Sequence, residues 1–338
     1  MPGILGTAAA ALYSAAVSRR NRAYDAGKGV TRFDRPVISI GNLSVGGTGK
    51  TPMVMHCVRT LLDADVAPCI AMRGYRADKG GESDEASLYL RAFADVPVVA
   101  QPDRISGLED LFASERGGTI ECVVLDDGFQ HRKIARQLDI VLVDASRDPF
   151  RDRALPAGWL REPADSLARA HAVVVTHAEM VERDELARLS EQIERVHNRP
   201  PAAITRHDWV ELLVGDNTIE PVEWLKDRPC VAVCAIGNPE PFMRRARQLT
   251  GGRVLAEMVL RDHDPFQQQT VDRIVEMARG SRAQAIICTE KDYAKLARVP
   301  EGTWACPLVR PKLMIMFDEG RESFDEQIVR TGRMRVTE

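Results

Sequence analysis

Eight consecutive residues, Ser44-Val45-Gly46-Gly47-Thr48-Gly49-Lys50-Thr51, carry the clearest chemistry in the sequence. Loops of the pattern G-x-x-x-x-G-K-[ST] cradle nucleotide phosphates. Gly49-Lys50-Thr51 supplies the second half of that pattern, and Ser44 stands where its first glycine would be. Gly46, Gly47 and Gly49 let successive backbone N–H groups turn toward phosphate oxygens. A helix starting near Thr51 would add its positive end. Lys50 is expected on the β- and γ-phosphates, and Thr51 is expected to hold Mg2+ through its hydroxyl. The expected ligands of 44–51 are therefore ATP and Mg2+. A glycine turn followed by a chance Lys-Thr is the alternative, and the flanking strand and helix patterns weigh against it.

Acidic residues come next. Val123-Val124-Leu125-Asp126-Asp127 is an apolar run ending on two carboxylates. Ligands of open α/β sheets lie beyond the carboxyl ends of the strands. Asp126 is thus placed for a Mg2+-linked carboxylate and Asp127 for a longer reach toward a second substrate, although aspartates also cap ordinary turns. Asp84-Glu85 could orient or deprotonate an acceptor hydroxyl, but a solvated loop explains the same pair. His263, flanked by Asp262 and Asp264, needs a partner before it can act. Arg161-Glu162 offers a planar phosphate-binding fork beside a carboxylate, or simply a surface ion pair.

These residues need elements to hold them. Residues 36–41 read as a buried strand, and 51–64 show helical spacing through Met53, Val54, Cys57, Val58, Leu61 and Leu62. Further apolar runs near 69–72, 96–100, 121–125, 140–143 and 172–176 alternate with helical patterns. That alternation predicts an α/β fold, a mostly parallel sheet covered on both faces. Residues 179–198 read as a charged helix, 202–214 as extended, and 230–236, 253–259 and 284–289 as strands of a second, smaller α/β unit.

Composition sets the outer limits. At 338 residues the chain is long for one core. Apolar residues make up 44% and charged residues 28%, which is ordinary for a globular protein. Net charge is −3 with dispersed Lys and Arg, so no nucleic-acid footprint is visible, nor is any obligate protein partner. The seven cysteines have no second pair at zinc spacing and read as reduced, mostly buried thiols. Residues 3–17 are apolar and alanine-rich, with Arg19, Arg20 and Arg22 beyond them. The run is shorter than the roughly 20 residues of a spanning helix. Leu5, Leu12, Ala16 and Val17 predict one apolar stripe, suited to a membrane surface or to docking on the protein itself.

Taken together, these pieces resemble the tetraacyldisaccharide 4′-kinase family, the lipid A 4′-kinases. The resemblance rests on GNLSVGGTGKTP at 41–52, MRGY at 72–75, SDEA at 83–86, PDRISG at 102–107 and LDDGFQHRKIARQLDIVLVDA at 125–145. LPAGWLREP at 155–163, AIGNPEPF at 235–242, DHDPF at 262–266 and TEKDYAKL at 289–296 continue it along nearly the whole chain. It implies a P-loop NTPase-like kinase domain over 26–201, a linker over 202–224 contributing to a two-stranded connection, and a smaller α/β domain over 225–325. A helix on the membrane surface would occupy 1–25 and a tail 326–338, with the active site between the two domains.

The implied activity is transfer of the γ-phosphate of ATP to the 4′-hydroxyl of a lipid A disaccharide 1-phosphate, at the cytoplasmic face of the inner membrane. By the same resemblance Asp84 is the catalytic carboxylate and His263 its paired histidine. Thr51 and Glu162 are Mg2+ ligands, while Lys50 and Arg161 clamp phosphate. Asp126, Asp127, Gln130, His131, Arg104, Arg73 and Tyr75 hold the lipid headgroup and complete the metal site. Ser83 and Ala86 replace the Gly and Pro usual around Asp84-Glu85, and Asp264 replaces a second histidine after His263. A regulatory P-loop NTPase is the competing class; it needs no acceptor-activating residues. The apolar N-terminal helix is expected to govern lipid access while leaving nucleotide chemistry alone.

Overall fold

The computed structural model describes residues 4–74, 84–215, 218–262 and 264–336. It divides into two compact units, one formed by 1–206 with 315–338 and the other by 207–314.

The first unit opens with helix α1 (Ile4–Asp25) and alternates strands and helices thereafter. In order these are β1 (Val37–Asn42), α2 (Lys50–Asp63), β2 (Pro68–Met72), α3 (Asp84–Ala92), β3 (Val98–Ala100), α4 (Arg104–Ala113), β4 (Cys122–Asp126), β5 (Leu138–Asp144), β6 (Ala172–Thr176), α5 (Arg183–His197) and the start of β7 (Ala203–Val214). The strand order β7-β6-β5-β1-β4-β2-β3 is parallel throughout. Successive side chains of a strand point to opposite faces. Ile38 and Ile40 of β1 accordingly pack with Met53, Val54, Cys57 and Leu61 of α2. Val37 joins Leu108 of α4 in another layer, and Leu189 and Ile193 of α5 pack with Val141 and Val173. The parallel, doubly covered sheet predicted from the alternating pattern is thus present.

The second unit contains the rest of β7 with its antiparallel partner β8 (Thr218–Glu220). It continues through β9 (Cys230–Cys234), α6 (Glu240–Leu249), β10 (Val254–Val259), α7 (Gln268–Gly280), β11 (Ala285–Cys288), α8 (Glu290–Leu296) and the start of β12 (Leu308–Glu319). Its parallel order is β10-β9-β11-β12. The chain passes between units twice, inside β7 and inside β12.

The boundaries differ from those read in the sequence. The second unit begins at His207, within the predicted linker, and ends at Met314 rather than 325. Residues expected to close the small domain and form a tail instead make α9 (Arg321–Gly332) of the first unit. The reason is packing: Phe324 and Ile328 are buried in the core with Leu61 and Val58 of α2, and His56 meets Asp325 at 2.7 Å. All seven cysteines are free, and six are buried. Burial pushes the Cys69 thiol up to about 12, so it is protonated at neutral pH.

Candidate active site

The site is assembled at the carboxyl edge of β1 and β4. These strands are neighbours in register, Ile40 opposite Asp126, so the loops leaving them start side by side. Gly41 permits the close approach, because a Cβ there would lie 2.5 Å from the Cβ of Phe129. Gly128 N–H then donates to the Ile40 carbonyl at 3.0 Å, fixing the Asp127 turn against β1.

The phosphate loop follows β1. Gly49 sits at φ 82°, a left-handed conformation that favours glycine, and starts α2 at Lys50. The first turn of α2 thus brings the N–H groups of Lys50 and Thr51 and the positive end of its dipole to the loop, Pro52 having no N–H and Met53 donating its own to the Gly49 carbonyl at 3.1 Å. Thr176 at the end of β6 donates its hydroxyl to the Thr48 carbonyl at 3.1 Å. On the other side, Val45 N–H donates to Trp159 O at 2.8 Å and Arg161 N–H to Leu43 O at 2.7 Å. The 155–163 segment therefore forms a wall of the phosphate loop.

Asp127 lies between two cations. Its carboxylate accepts from Arg161 Nη1 at 2.9 and 2.8 Å and stands 3.5 Å from Lys50 Nζ. Lys50 also donates to Asn42 Oδ1 at 3.3 Å. Arg104, buried on the first turn of α4, donates to the Asp127 carbonyl at 3.3 Å. Burial alone would raise the Asp127 pKa, but Lys50, Arg161 and Arg104 outweigh it and hold the carboxyl below its ordinary value. Gln130 donates to Asn42 O at 2.9 Å and stands 3.5 Å from Arg161 through its carbonyl. His131 is pushed down to about 4 by burial and by Arg104, Arg136 and Lys133, so it is neutral at pH 7. Asp126 is buried and accepts from Tyr89 of α3 at 2.9 Å.

Arg161 and Glu162 are not a surface ion pair. Each turns to a different partner, Arg161 to Asp127 and Glu162 to Arg169. Glu162 is fully buried, takes two hydrogen bonds from Arg169 at 2.6 and 3.0 Å, and takes a third from Asn21 of α1 at 2.8 Å. Arg169 also lies over the Phe129 ring at 3.7 Å. Arg136 ties the 128–134 turn by donating to the carbonyls of Gly128, His131 and Ile134.

Of the residues predicted for the site, Ser44 to Thr51, Asp126, Asp127, Gln130, His131, Arg104, Arg161 and Glu162 are gathered in the first unit. Arg73 follows β2 and is exposed. Asp84 opens α3, with Tyr89 one and a half turns on as the anchor to Asp126, while the Asp84 side chain lies outside the described residues. Tyr75 and His263 also lie outside them. Sequence reasoning missed Asn42, Tyr89, Arg136, Arg169 and the α1 contacts. Asn42 and Arg136 lie inside the motif stretches, but Arg169 had no such signal.

Comparison with known proteins accounts for this arrangement. The family model described as tetraacyldisaccharide-1-P 4′-kinase matches residues 3–331. The chain belongs to the tetraacyldisaccharide 4′-kinase family. A tetraacyldisaccharide 4′-kinase of Geobacter metallireducens is 36% identical over 307 residues, covering 85% of this chain and 86% of that one. One from Chlorobaculum tepidum is 34% identical over 325 residues, 88% of each. The crystal structure of the Aquifex aeolicus kinase LpxK, solved in complex with ATP, matches with a TM-score of 0.69 and 29% identity, over 95% of this chain and 96% of that one. The fold is P-loop NTPase-like, and the chain is a kinase of lipid A synthesis rather than a regulatory NTPase. Among the described residues of this tetraacyldisaccharide 4′-kinase family member, no helix is long and apolar enough to cross a membrane.

Proposed function

We propose that this chain binds MgATP at 44–51 and transfers its γ-phosphate to the 4′-hydroxyl of a tetraacyldisaccharide 1-phosphate, at the inner-membrane surface. The observation carrying the reading is the pair of cations, Lys50 and Arg161, held on either side of Asp127 beside the first turn of α2. Phosphoryl transfer asks mainly for positioning and for positive charge around the transferring group. Lys50 and the loop N–H groups supply that charge on the β- and γ-phosphates, and Arg161 supplies a planar fork. An incoming phosphate competes with the Asp127 carboxylate for both. ATP fits the loop, and the relative of known structure was solved with ATP.

Mg2+ prefers hard oxygen donors, and Thr51, Asp126 and Glu162, which are assigned to it, would each offer one. When bound, the ion neutralises charge developing on the phosphates. Asp84 is assigned to accept the proton of the acceptor hydroxyl, a task worth roughly 10²–10⁴-fold, and His263 is assigned to the same acceptor chemistry by its motif. Gln130, His131, Arg73 and Tyr75 are assigned to the headgroup. A neutral His131 contributes hydrogen bonding there rather than charge. Incubating the full chain with radiolabelled ATP, Mg2+ and purified disaccharide 1-phosphate lipid tests the reading. Label should enter the lipid, and should fail to do so in Asp84→Ala and His263→Ala proteins that still bind ATP. ATP hydrolysis indifferent to the lipid, with no labelled lipid, would refute it.

A further inference from the structure

Helix α1 has two faces, and its inner one reaches the phosphate site. Ala10, Tyr13, Ser14, Val17, Asn21 and Tyr24 recur at helical spacing and are the buried or half-buried residues between 9 and 25, whereas Leu12, at 74% exposure, Ala16 and Arg19 are exposed. The stripe predicted from the sequence therefore splits, with Val17 turned inward. Two inner residues bond to consecutive residues of the site wall. Tyr13 Oη donates to Arg161 O at 3.0 Å, and Asn21 Nδ2 donates to Glu162 Oε2 at 2.8 Å. Arg132 holds the end of α1 in place by donating to Asn21 O at 3.0 Å and to Asp25 at 2.6 Å. The expectation that α1 stands apart from nucleotide chemistry does not match these contacts.

We infer that Asn21 and Tyr13 are positioning residues through which α1 couples membrane contact to the metal-nucleotide site. This rests on the proposed function, which gives Glu162 to Mg2+ and places the reaction at the membrane surface; exposed Leu12, Ala16 and Arg19 give α1 an outer face to meet that surface. Both oxygens of Glu162 are engaged while α1 is docked, Oε2 by Asn21 and Arg169 together and Oε1 by Arg169, with Arg20 of α1 a further 3.8 Å ion-pair partner of Oε1. An oxygen offered to a metal must give up part of that bonding. The docked helix thus opposes metal binding at Glu162, and lipid drawing on the outer face of α1 relieves the opposition. Linkage makes the effect reciprocal: Mg-nucleotide must strengthen vesicle binding by the same factor.

The experiment uses the full chain and a non-hydrolysable ATP analogue. Its affinity is measured by calorimetry with and without anionic phosphatidylglycerol vesicles that lack the disaccharide lipid. With Mg2+, vesicles should tighten binding by a factor within roughly 5–150, the usual span of coupling between sites. In EDTA they should have no effect, because the contact acts on the metal ligand. Asn21→Ala should bind Mg-nucleotide more tightly without vesicles and lose the vesicle effect. Tyr13→Phe, which removes only a hydroxyl, should fold as the wild type does and show a reduced effect. A wild type whose Mg-nucleotide affinity ignores vesicles, an effect that persists in EDTA, or full coupling in Asn21→Ala would each overturn the inference. Phosphorylation of detergent-dispersed disaccharide lipid is assayed in parallel. Its absence with coupling intact rejects the proposed function alone, and its presence without coupling rejects this inference alone.

Discussion

Asp127→Asn removes one negative charge from between Lys50 and Arg161 while keeping the side-chain shape. At 3.5 Å from Lys50, with an effective dielectric near 20, the gross attraction lost is about 5 kcal/mol. Part of that is offset by the desolvation of the Asp127 carboxylate, which the amide does not suffer. The nucleotide feels a smaller, cleaner quantity. A phosphate oxygen reaching both cations would sit about 6 Å from the carboxylate, where an effective dielectric near 40 gives about 1.4 kcal/mol of repulsion per charge. Metal-free ATP should therefore bind Asp127→Asn about tenfold more tightly than wild type. The assay is calorimetric titration in EDTA at fixed ionic strength, since these terms are screened by salt. Unchanged or weaker binding would refute the competition between Asp127 and phosphate.

The pH dependence follows from the same residue. Its folded-state pKa is depressed, so the stability it contributes is present above the unfolded value and lost as pH falls through the folded one. Asp127 therefore stays charged from pH 6 to 8, and the tenfold difference in affinity should be complete at pH 8, where the terminal phosphate is fully ionised. The stability difference between wild type and Asp127→Asn should shrink only below about pH 4, near the ordinary carboxylate range. Chemical denaturation at pH 7, at pH 4 and at about pH 3 checks the second point.

Three further outcomes are expected. Lys50→Ala should fold normally and lose about 2.7–4 kcal/mol of transition-state stabilisation, roughly 10²–10³-fold in kcat; near-normal kcat in steady-state kinetics would remove Lys50 from the phosphate clamp. His131→Gln should flatten the acid limb of stability. The neutral imidazole of the fold, pushed to about 4, resists protonation that the unfolded chain accepts from about pH 6.5 downward. Wild type therefore loses stability on going from pH 6.5 to 4, by roughly 1–2 kcal/mol after allowing for partial solvent access, as urea melts would show. Arg169→Met should destabilise by about 3–5 kcal/mol, because it leaves the Glu162 carboxylate buried without its main partner. In Glu162→Gln/Arg169→Met most of that loss should return in thermal melts.

The local features of this fold were legible in the sequence. The strand at 37–42, the loop and the helix at 50–63 each announce themselves through apolar runs, glycines and period. Asp126-Asp127 was read correctly as the end of a strand because the run before it is wholly apolar. What was not legible depends on contacts between distant residues. Asp127 meets an arginine 34 residues later and Glu162 meets an asparagine 141 residues earlier; no spacing rule links such pairs. The inner face of α1 misled the reading for a physical reason: tyrosines and an asparagine lie on it, so apolar periodicity picked out exposed Leu12 and Ala16 instead. Helix α9 was missed because Phe324 and Ile328 are set among charged residues, and its core partners lie more than 260 positions away on α2.

The dipeptide Arg161-Glu162 makes the site more than a phosphate loop with neighbours. Its backbone is held by Leu43 O, one residue before the loop begins. Its arginine is held by Asp127 from the end of β4, and its glutamate by Arg169 and Asn21. Buried ion pairs of this kind contribute little net stability, because desolvation offsets their attraction. The apolar layers around α2, α4 and α5 are what hold the first unit together. The charged pairs are therefore free to exchange partners at small cost to the fold, provided no charge is left buried alone. A ligand anion replacing Asp127 at Arg161, or a cation replacing Arg169 at Glu162, meets that condition. Because the two residues share one short segment, either exchange acts on the same backbone that α1 grips through Tyr13. On the proposed assignments, phosphate at Arg161, metal at Glu162 and the N-terminal helix converge on a single peptide unit, and the variants described above perturb that unit from each side.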